Sequence, residues 1–325
     1  MARLARVDGM KIVFMGTPDF AVGALEALIG AGHEITAVVT QPDKAKGRSS
    51  QLQASPVKEC ALKHGIPVFQ PKKIKTPEAL EQLAQYPAEI FIVAAFGQIL
   101  SQEILDMPKF GCLNIHASLL PKYRGASPIQ HVIIGGEEKT GVTIMQMDAG
   151  LDTGDMLYKE EVAIERTDTF ETLHDKLMEA GGHAIVEALA LLEEGKLKPE
   201  KQKDELSCYA PLIKKEMGEI DFAGDAYTVE LLVRGMNPWP SAYTFYRGKQ
   251  LKIWEAVAET GQDVSSQSAD VTPGTICRTA KEYVSIQCGT GILNVYSLQL
   301  EGKKRMSVHD FLLGVKMQAG EMLGK

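Results

Sequence analysis

The chain has 325 residues, 45% hydrophobic and 24% charged, with five cysteines and a formal net charge of −7. This is the mix of a globular protein with real cores, its length fits two domains, and no run approaches the ~20 apolar residues that cross a bilayer. The acidic balance is unusual for a protein defined by tight nucleic-acid binding, but from Lys214 onward 13 basic residues meet 13 acidic ones, which leaves room for a localised nucleic-acid contact.

Met1–Gly9 carries two arginines but no apolar signal core and precedes a second methionine, Met10. It reads as an upstream start or added leader, outside the fold. From there strand-like and helix-like segments alternate. Lys11–Met15 is a short apolar run ending at Gly16, Ala21–Ile29 has helical spacing, and Ile35–Thr40 is β-branched. Pro56–His64 and Pro77–Gln85 read as helices; Val68–Phe69, Ile90–Ala95 and Cys112–Ile115 read as strands. Continuous apolar strands alternating with helices indicate a parallel sheet covered on both faces. Asp168-Thr-Phe-Glu171 has the pattern of a capping box opening a long helix to about Leu192.

Lys196–Asp204 is polar and reads as a linker. Beyond it come a helix at Ala226–Met236, the rigid Asn237-Pro-Trp-Pro240, and short β-rich runs at Ala242–Tyr246, Leu251–Trp254, Gly274–Cys277, Tyr283–Gln287 and Ile292–Leu298. Several short strands at close spacing predict a small barrel, followed by a helix from about Ser307.

The stretch from Asn114 to Pro128 begins at the end of a predicted strand, where ligands bind in open α/β sheets. One residue separates Asn114 from His116, so an extended backbone sets both side chains on one face. An amide and an imidazole side by side can hold a carbonyl oxygen that is becoming an oxyanion; a histidine satisfied by local hydrogen bonds is the bland alternative. His33, His64, His131, His174, His183 and His309 receive that alternative, and none forms a helical zinc pair with another histidine. A second cluster, Asp148 to Asp155, lacks the acid spacing of a calcium loop. It is either a surface turn or the source of a carboxylate that orients His116 and favours its charged form. Gly16-Thr-Pro-Asp-Phe20 stands where a dinucleotide fold carries G-x-G-x-x-G, so a nicotinamide cofactor is not expected. The five cysteines, Cys60, Cys112, Cys208, Cys277 and Cys288, are never spaced C-x-x-C, which argues against disulfides and zinc and fits a reducing cytosol.

Together these segments resemble the methionyl-tRNA formyltransferase family, within the broader folate-dependent formyltransferases. The likeness runs through Met10–Phe20, Thr40–Asp43, Ser55–Lys58, Pro67–Pro71, Asn114–Pro128, Gly141–Asp155, Asn237–Pro240, Pro273–Ile276, Gly291–Leu293 and Gly302–Lys304. It implies an α/β fold: a Rossmann-like parallel-sheet catalytic domain over 10–195, a linker over 196–213, and an OB-type β-barrel tRNA-binding domain over 214–325. It further implies Asn114, His116 and Asp152 as a catalytic trio, Ser118, Leu119, Leu120 and Pro121 as a folate-binding segment, and 10-formyltetrahydrofolate as formyl donor without a metal.

Initiator methionyl-tRNA is the implied acceptor, in a cytoplasmic monomer with no membrane contact. Gln41–Ser55 is a long polar insert containing Lys44, Lys46 and Arg48, and loops of that size are uncommon unless functional. The resemblance places Arg48 against the acceptor stem; a solvated loop is the alternative. Lys214-Lys215 and Lys303-Lys304-Arg305 are further candidate phosphate contacts, or ordinary surface. An amino-sugar-nucleotide formyltransferase could share both trio and barrel and is the nearest competing activity.

Overall fold

Continuous apolar runs become the central strands of the first of two compact units. The computed structural model describes residues 9–45, 52–259 and 271–324. This unit gathers the described residues through Pro128, Lys139–Ala163 and His174–Ala210. Its strands are β1 (Lys11–Gly16), β2 (Glu34–Val39), β3 (Lys44–Ala45), β4 (Leu52–Gln53), β5 (Val68–Phe69), β6 (Ile90–Ala94), β7 (Cys112–His116), β8 (Lys139–Gln146) and β9 (Met156–Ala163). β3 and β4 form a hairpin; the rest make one sheet in the order β5-β2-β1-β6-β7-β8-β9. Neighbours from β5 to β7 are parallel, whereas β8 and β9 run antiparallel. β9 escapes a reading tuned to apolar runs, because after the buried Met156 none of its residues is buried, and from Tyr158 on they alternate between half-buried and exposed.

The chain lays β2 and β5 on one side of β1, then places β6 and β7 on the other. Strand order therefore reverses between β1 and β6, and a crevice opens outside their carboxyl ends. The helices of this unit are α1 (Phe20–Gly30), α2 (Pro56–Lys63), α3 (Pro77–Leu83) and α4 (Gln102–Leu105); α5 (Pro128–Ile134) belongs almost entirely to the second unit, and the 24-residue α6 (Phe170–Glu193) lies in the first from His174 on. Ser55 and Thr76 cap α2 and α3 through their side chains, each followed by proline at the first helical turn. α6 starts later than the Asp168–Glu171 pattern predicts: Thr169 and Thr172 cap each other's amides, and Asp168 instead accepts from Glu165 N and the Thr172 hydroxyl. One apolar layer joins Val13, Met15, Ala37, Val39, Phe91, Val93 and Cys112.

The second unit comprises Ile129–Glu138, Ile164–Leu173 and the described residues from Pro211 on. It contains α7 (Ala226–Gly235), β10 (Ala242–Tyr246), β11 (Lys249–Ala258), β12 (Ile276–Thr279), β13 (Val284–Gln287), β14 (Ile292–Leu300), β15 (Met306–Ser307) and α8 (Val308–Gly314). The sheet is antiparallel throughout, in the order β10-β11-β14-β13-β12 with β15 on β14. Along β11 the buried residues are Leu251 and Ile253, then Ala256 and Ala258; an irregularity in the β14 pairing at Ile253–Ala256 resets the phase. Without it, half the strand would turn its apolar residues to solvent. No ladder joins β12 to β10 among the described residues. The tail bridges them instead: Gly320 N donates to Ile276 O, Leu323 N to Gly274 O, and Gly324 N to Phe245 O.

Candidate active site

β7 carries Asn114 and His116 to the carboxyl end of the parallel sheet, where Asn114 faces Val93 of β6 and Met145 of β8, and His116 faces Thr143. His116 is 5% exposed. Its Nε2 lies 2.9 Å from Tyr123 O, and a carbonyl can only accept, so Nε2 bears a proton. Its Nδ1 lies 3.7 Å from Asp152 Oδ2, longer than a hydrogen bond and short enough for an ion pair. Oxygen atoms thus face both ring nitrogens, one at hydrogen-bonding distance and one beyond it.

The loop after β7 is held from below. Thr143 Oγ donates to Ser118 O (2.7 Å) and accepts from Leu120 N (3.0 Å), while Ser118 Oγ donates to Lys122 O (2.7 Å). Ser118 and Leu120 are buried, and Leu119 and Pro121 keep part of their surface open. Of the predicted folate segment, only these two can offer side-chain surface to a ligand; Ser118 and Leu120 shape the loop. Tyr123 at φ 60° and Gly125 at φ 116° then turn the chain. A side chain at Gly125 would also meet Tyr209 and Ala210 O.

Asp152 arrives from the connection between β8 and β9, at φ 54°. Non-glycine residues rarely occupy that region unless the surroundings impose it. Its Oδ2 accepts from Gly125 N at 2.8 Å, so one carboxylate oxygen faces both the imidazole and the loop after β7. Asp148 serves the turn, accepting from Gly150 N and the Thr153 hydroxyl. Gly154 must be glycine, because a Cβ there would run into Gln146 O.

Sequence reasoning passes over three contributors. Ala95 (φ 46°) and Gly97 (φ 83°) form a tight turn after β6, whose Phe96 O accepts from Thr17 Oγ (3.0 Å) and Gln41 Nε2 (3.2 Å). The turns after β1, β2 and β6 are thereby laced together at the carboxyl edge. The visible signal is Ala-Phe-Gly-Gln directly after an apolar strand, the same placement as Gly-Thr-Pro-Asp after β1. Arg124 and Gln202 are the other two. Gln202 lies in the stretch read as a linker, and nothing in its polar surroundings marks it.

Arg48 and Lys46 lie outside the described residues. Lys214, Lys215, Lys303, Lys304 and Arg305 are all exposed. The Arg305 guanidinium lies 4.8 Å from the centre of the Trp254 ring, with the Lys252 ammonium 5.8 Å from the same ring. The remaining histidines have local partners: His33 with Met10 N, His64 with Glu26, His131 with Pro211 O, His174 with Asp19 and Asp175, His183 with Glu160, and His309 with Asp310.

Glu26, Cys60 and His64 bring ligand-type atoms within 4.8 Å of one another. The group is satisfied internally, since the thiol and the imidazole both engage the Glu26 carboxylate and the Lys63 ammonium lies 3.7 Å from it. Burial and that carboxylate push the Cys60 thiol up to about 12. A cavity of about 480 Å3 in the second unit is lined by Arg166, Asp225, Tyr227 and Arg234. Its arginines are committed to Glu230 and to the carbonyls of Glu165 and Asp168, so it lacks the free chemistry of the β7 edge.

Residues 10–189 match the formyl transferase family and residues 212–316 its C-terminal domain. A methionyl-tRNA formyltransferase of Lachnospira eligens is 50% identical over 317 residues, covering 97% of this chain and 100% of the relative. One from Caldanaerobacter subterraneus subsp. tengcongensis is 49% identical over 315 residues, covering 97% and 100%. Among solved structures, an N-formyltransferase from Helicobacter canadensis, in complex with folinic acid and dTDP-3-aminofucose, superposes with a TM-score of 0.67 at 19% identity, covering 91% of this chain and 100% of that one. At that identity the likeness concerns the fold.

Proposed function

The chain belongs to the methionyl-tRNA formyltransferase family and transfers the formyl group of 10-formyltetrahydrofolate to the α-amino group of methionyl-initiator tRNA, and we propose that Asn114, His116 and Asp152 carry out the transfer. The observation that carries this assignment is the placement of His116 between Tyr123 O and the Asp152 carboxylate, two residues along the strand from Asn114. 10-Formyltetrahydrofolate supplies an electrophilic carbon and a nitrogen that departs. Attack by the amine turns the formyl oxygen into an oxyanion. Asn114 Nδ2 and an N–H of charged His116, turned away from Tyr123 O, donate to that oxygen. Donors so placed contribute roughly 3 kcal/mol each in the transition state.

Asp152 holds the imidazolium charge and its orientation. The attacking amine sheds a proton and the departing nitrogen takes one up; the His116–Asp152 pair relays it. Leu119, Pro121 and the backbone of the Ser118–Pro121 loop contact the donor. Arg48, Lys214, Lys215, Lys303, Lys304 and Arg305 contact the tRNA, Arg305 with Trp254 as a stacking platform. The protein acts as a cytoplasmic monomer, a setting that suits its free cysteines.

The test is transfer of labelled formyl from the folate donor to charged initiator tRNA, charged elongator methionine tRNA and an amino-sugar nucleotide in parallel. Label should appear on the initiator methionine. Label on the sugar nucleotide alone would overturn the acceptor assignment, and full activity in His116→Ala would remove the trio from the mechanism.

A further inference from the structure

Resting on the reading of Asp152 as one of the trio, we infer that Gln202 is a positioning residue for formyl transfer, holding the Asp152 turn in the conformation that presents its carboxylate to His116. Asp152 adopts a left-handed backbone angle that a non-glycine residue disfavours, so the turn needs external restraint. Its own side chain supplies one link, to Gly125 N at 2.8 Å. Two backbone carbonyls of the turn are held by one amide group: Gln202 Nε2 donates to Asp152 O and to Gly154 O, each at 2.8 Å.

The same amide faces the other loop. Gln202 Oε1 accepts from Arg124 Nε at 3.0 Å, and Arg124 directly precedes Gly125. A closed ring results, running from Gly125 to the Asp152 side chain, through the Asp152 carbonyl to Gln202, and through Arg124 back to Gly125. Both amide hydrogens and the amide oxygen are used, which also fixes the orientation of the group. Flipped, it would set its oxygen against two carbonyl oxygens and its hydrogens against a guanidinium.

The segment bearing Gln202 is anchored at each end. Glu200 exchanges two backbone hydrogen bonds with Met156, each 2.8 Å; Arg124 N donates to Cys208 O (2.9 Å), and Ala210 N donates to Arg124 O (2.7 Å). Asp204 pairs with the far end of the Arg124 guanidinium at 2.8 Å. The start of β9 and the loop after β7 are thus clasped by residues 200–210, and the clasp meets the carboxylate's turn only through Gln202 among the described hydrogen bonds.

Two substitutions separate positioning from packing. Gln202→Met keeps the volume and removes all three hydrogen bonds. Gln202→Glu keeps the shape and the Arg124 contact but points a carboxylate oxygen at the Asp152 and Gly154 carbonyls. In the full chain, Gln202→Met should lower kcat about 100-fold, the scale of a displacement of about an ångström at a reacting centre, while KM for tRNA and folate stays within roughly threefold. Gln202→Glu should be at least as impaired at an unchanged melting temperature, which covers a methionine variant that fails to fold.

The discriminating measurement is a double-mutant cycle. If Gln202 acts through Asp152, adding Gln202→Met to Asp152→Ala should cost less than about threefold more. A full additional 100-fold loss in that background, or wild-type kcat in Gln202→Met, overturns the inference. Wild-type kcat in Asp152→Ala would instead sink the trio reading itself, so the two failures are told apart.

Discussion

The carboxyl edge of the parallel sheet and the antiparallel wall of the second unit differ in what each spends its buried residues on. At the first, three non-glycine residues (Ala95, Tyr123 and Asp152) take left-handed angles, and His116, Ser118 and Thr143 are buried polar groups tied by hydrogen bonds. Conformational stability is given up there to fix a few atoms. The second relies mainly on cumulative burial: Leu251, Ile253, Leu293, Val295, Leu298 and Phe311 share one apolar cluster, while the charged residues of its strands, Lys249, Lys252, Glu255 and Arg278, keep surface open to solvent. A single change should therefore alter chemistry in the first region and folding or binding in the second.

The largest effect expected is on chemistry. His116→Ala should lower turnover by about 10³-fold or more, and Asn114→Ala by about 10²–10³-fold, with little change in melting temperature. Leu293→Ala, at a fully buried position, should do the reverse. It should cost roughly 2–5 kcal/mol of stability while activity per folded molecule survives. Single-turnover formyl transfer paired with thermal melts checks both. A Leu293→Ala protein that stays folded yet loses the chemical step would erase the proposed division.

The same contrast explains what the sequence could reveal. Lys11–Met15 and Ile90–Ala95 show their place because central parallel strands are apolar on both faces, and Asn114 and His116 show theirs because strand spacing sets i and i+2 on one side. Asp152 could be nominated only through a family likeness, since its approach depends on a left-handed angle and on Gly125, 27 residues earlier in the chain. Gln202 was hidden for the same reason: its partners are 48 to 78 residues distant, and a glutamine in a lysine-rich stretch looks like solvated chain. β9 was hidden by its wet face. The barrel was legible as texture, but its closure by the tail was not, because Gly320–Gly324 has no strand pattern of its own.

An intermediate effect should appear at the rim of the second unit. Neutralising Lys303 and Lys304 should raise KM for tRNA with saturated kcat intact, and the salt dependence should flatten by about one log unit per log of salt for every phosphate these ammonium groups neutralise. Arg305→Lys is the sharper probe. It keeps the charge but loses the planar group that lies over Trp254 and donates to Ser297 Oγ. If stacking matters, this variant should bind more weakly without a change in salt slope. Equal affinity in Arg305→Lys and the parent would reduce Arg305 to a point charge.

The smallest effect concerns the tail. Glu321 accepts from the Arg247 guanidinium, from Gln318 N at 2.8 Å and from the Tyr246 hydroxyl at 2.9 Å. The Arg247 hydrogen bond, with those from Gln318 and Tyr246, holds its carboxyl at about 2, below the ordinary 4.5. A carboxyl depressed by folding stabilises the folded state fully above its ordinary value, and that contribution fades as pH falls from about 4.5 through about 2. Glu321→Gln should therefore lower the melting temperature at neutral pH. The cost should be at most about 1 kcal/mol, because Arg247 is 59% exposed and solvent screens the pair. Between pH 6 and pH 3 the gap between parent and variant should narrow. A gap that stays constant across that range would mean that the charge of Glu321 does not secure the tail, leaving its backbone links, among them those from Gly320, Leu323 and Gly324, to close the barrel.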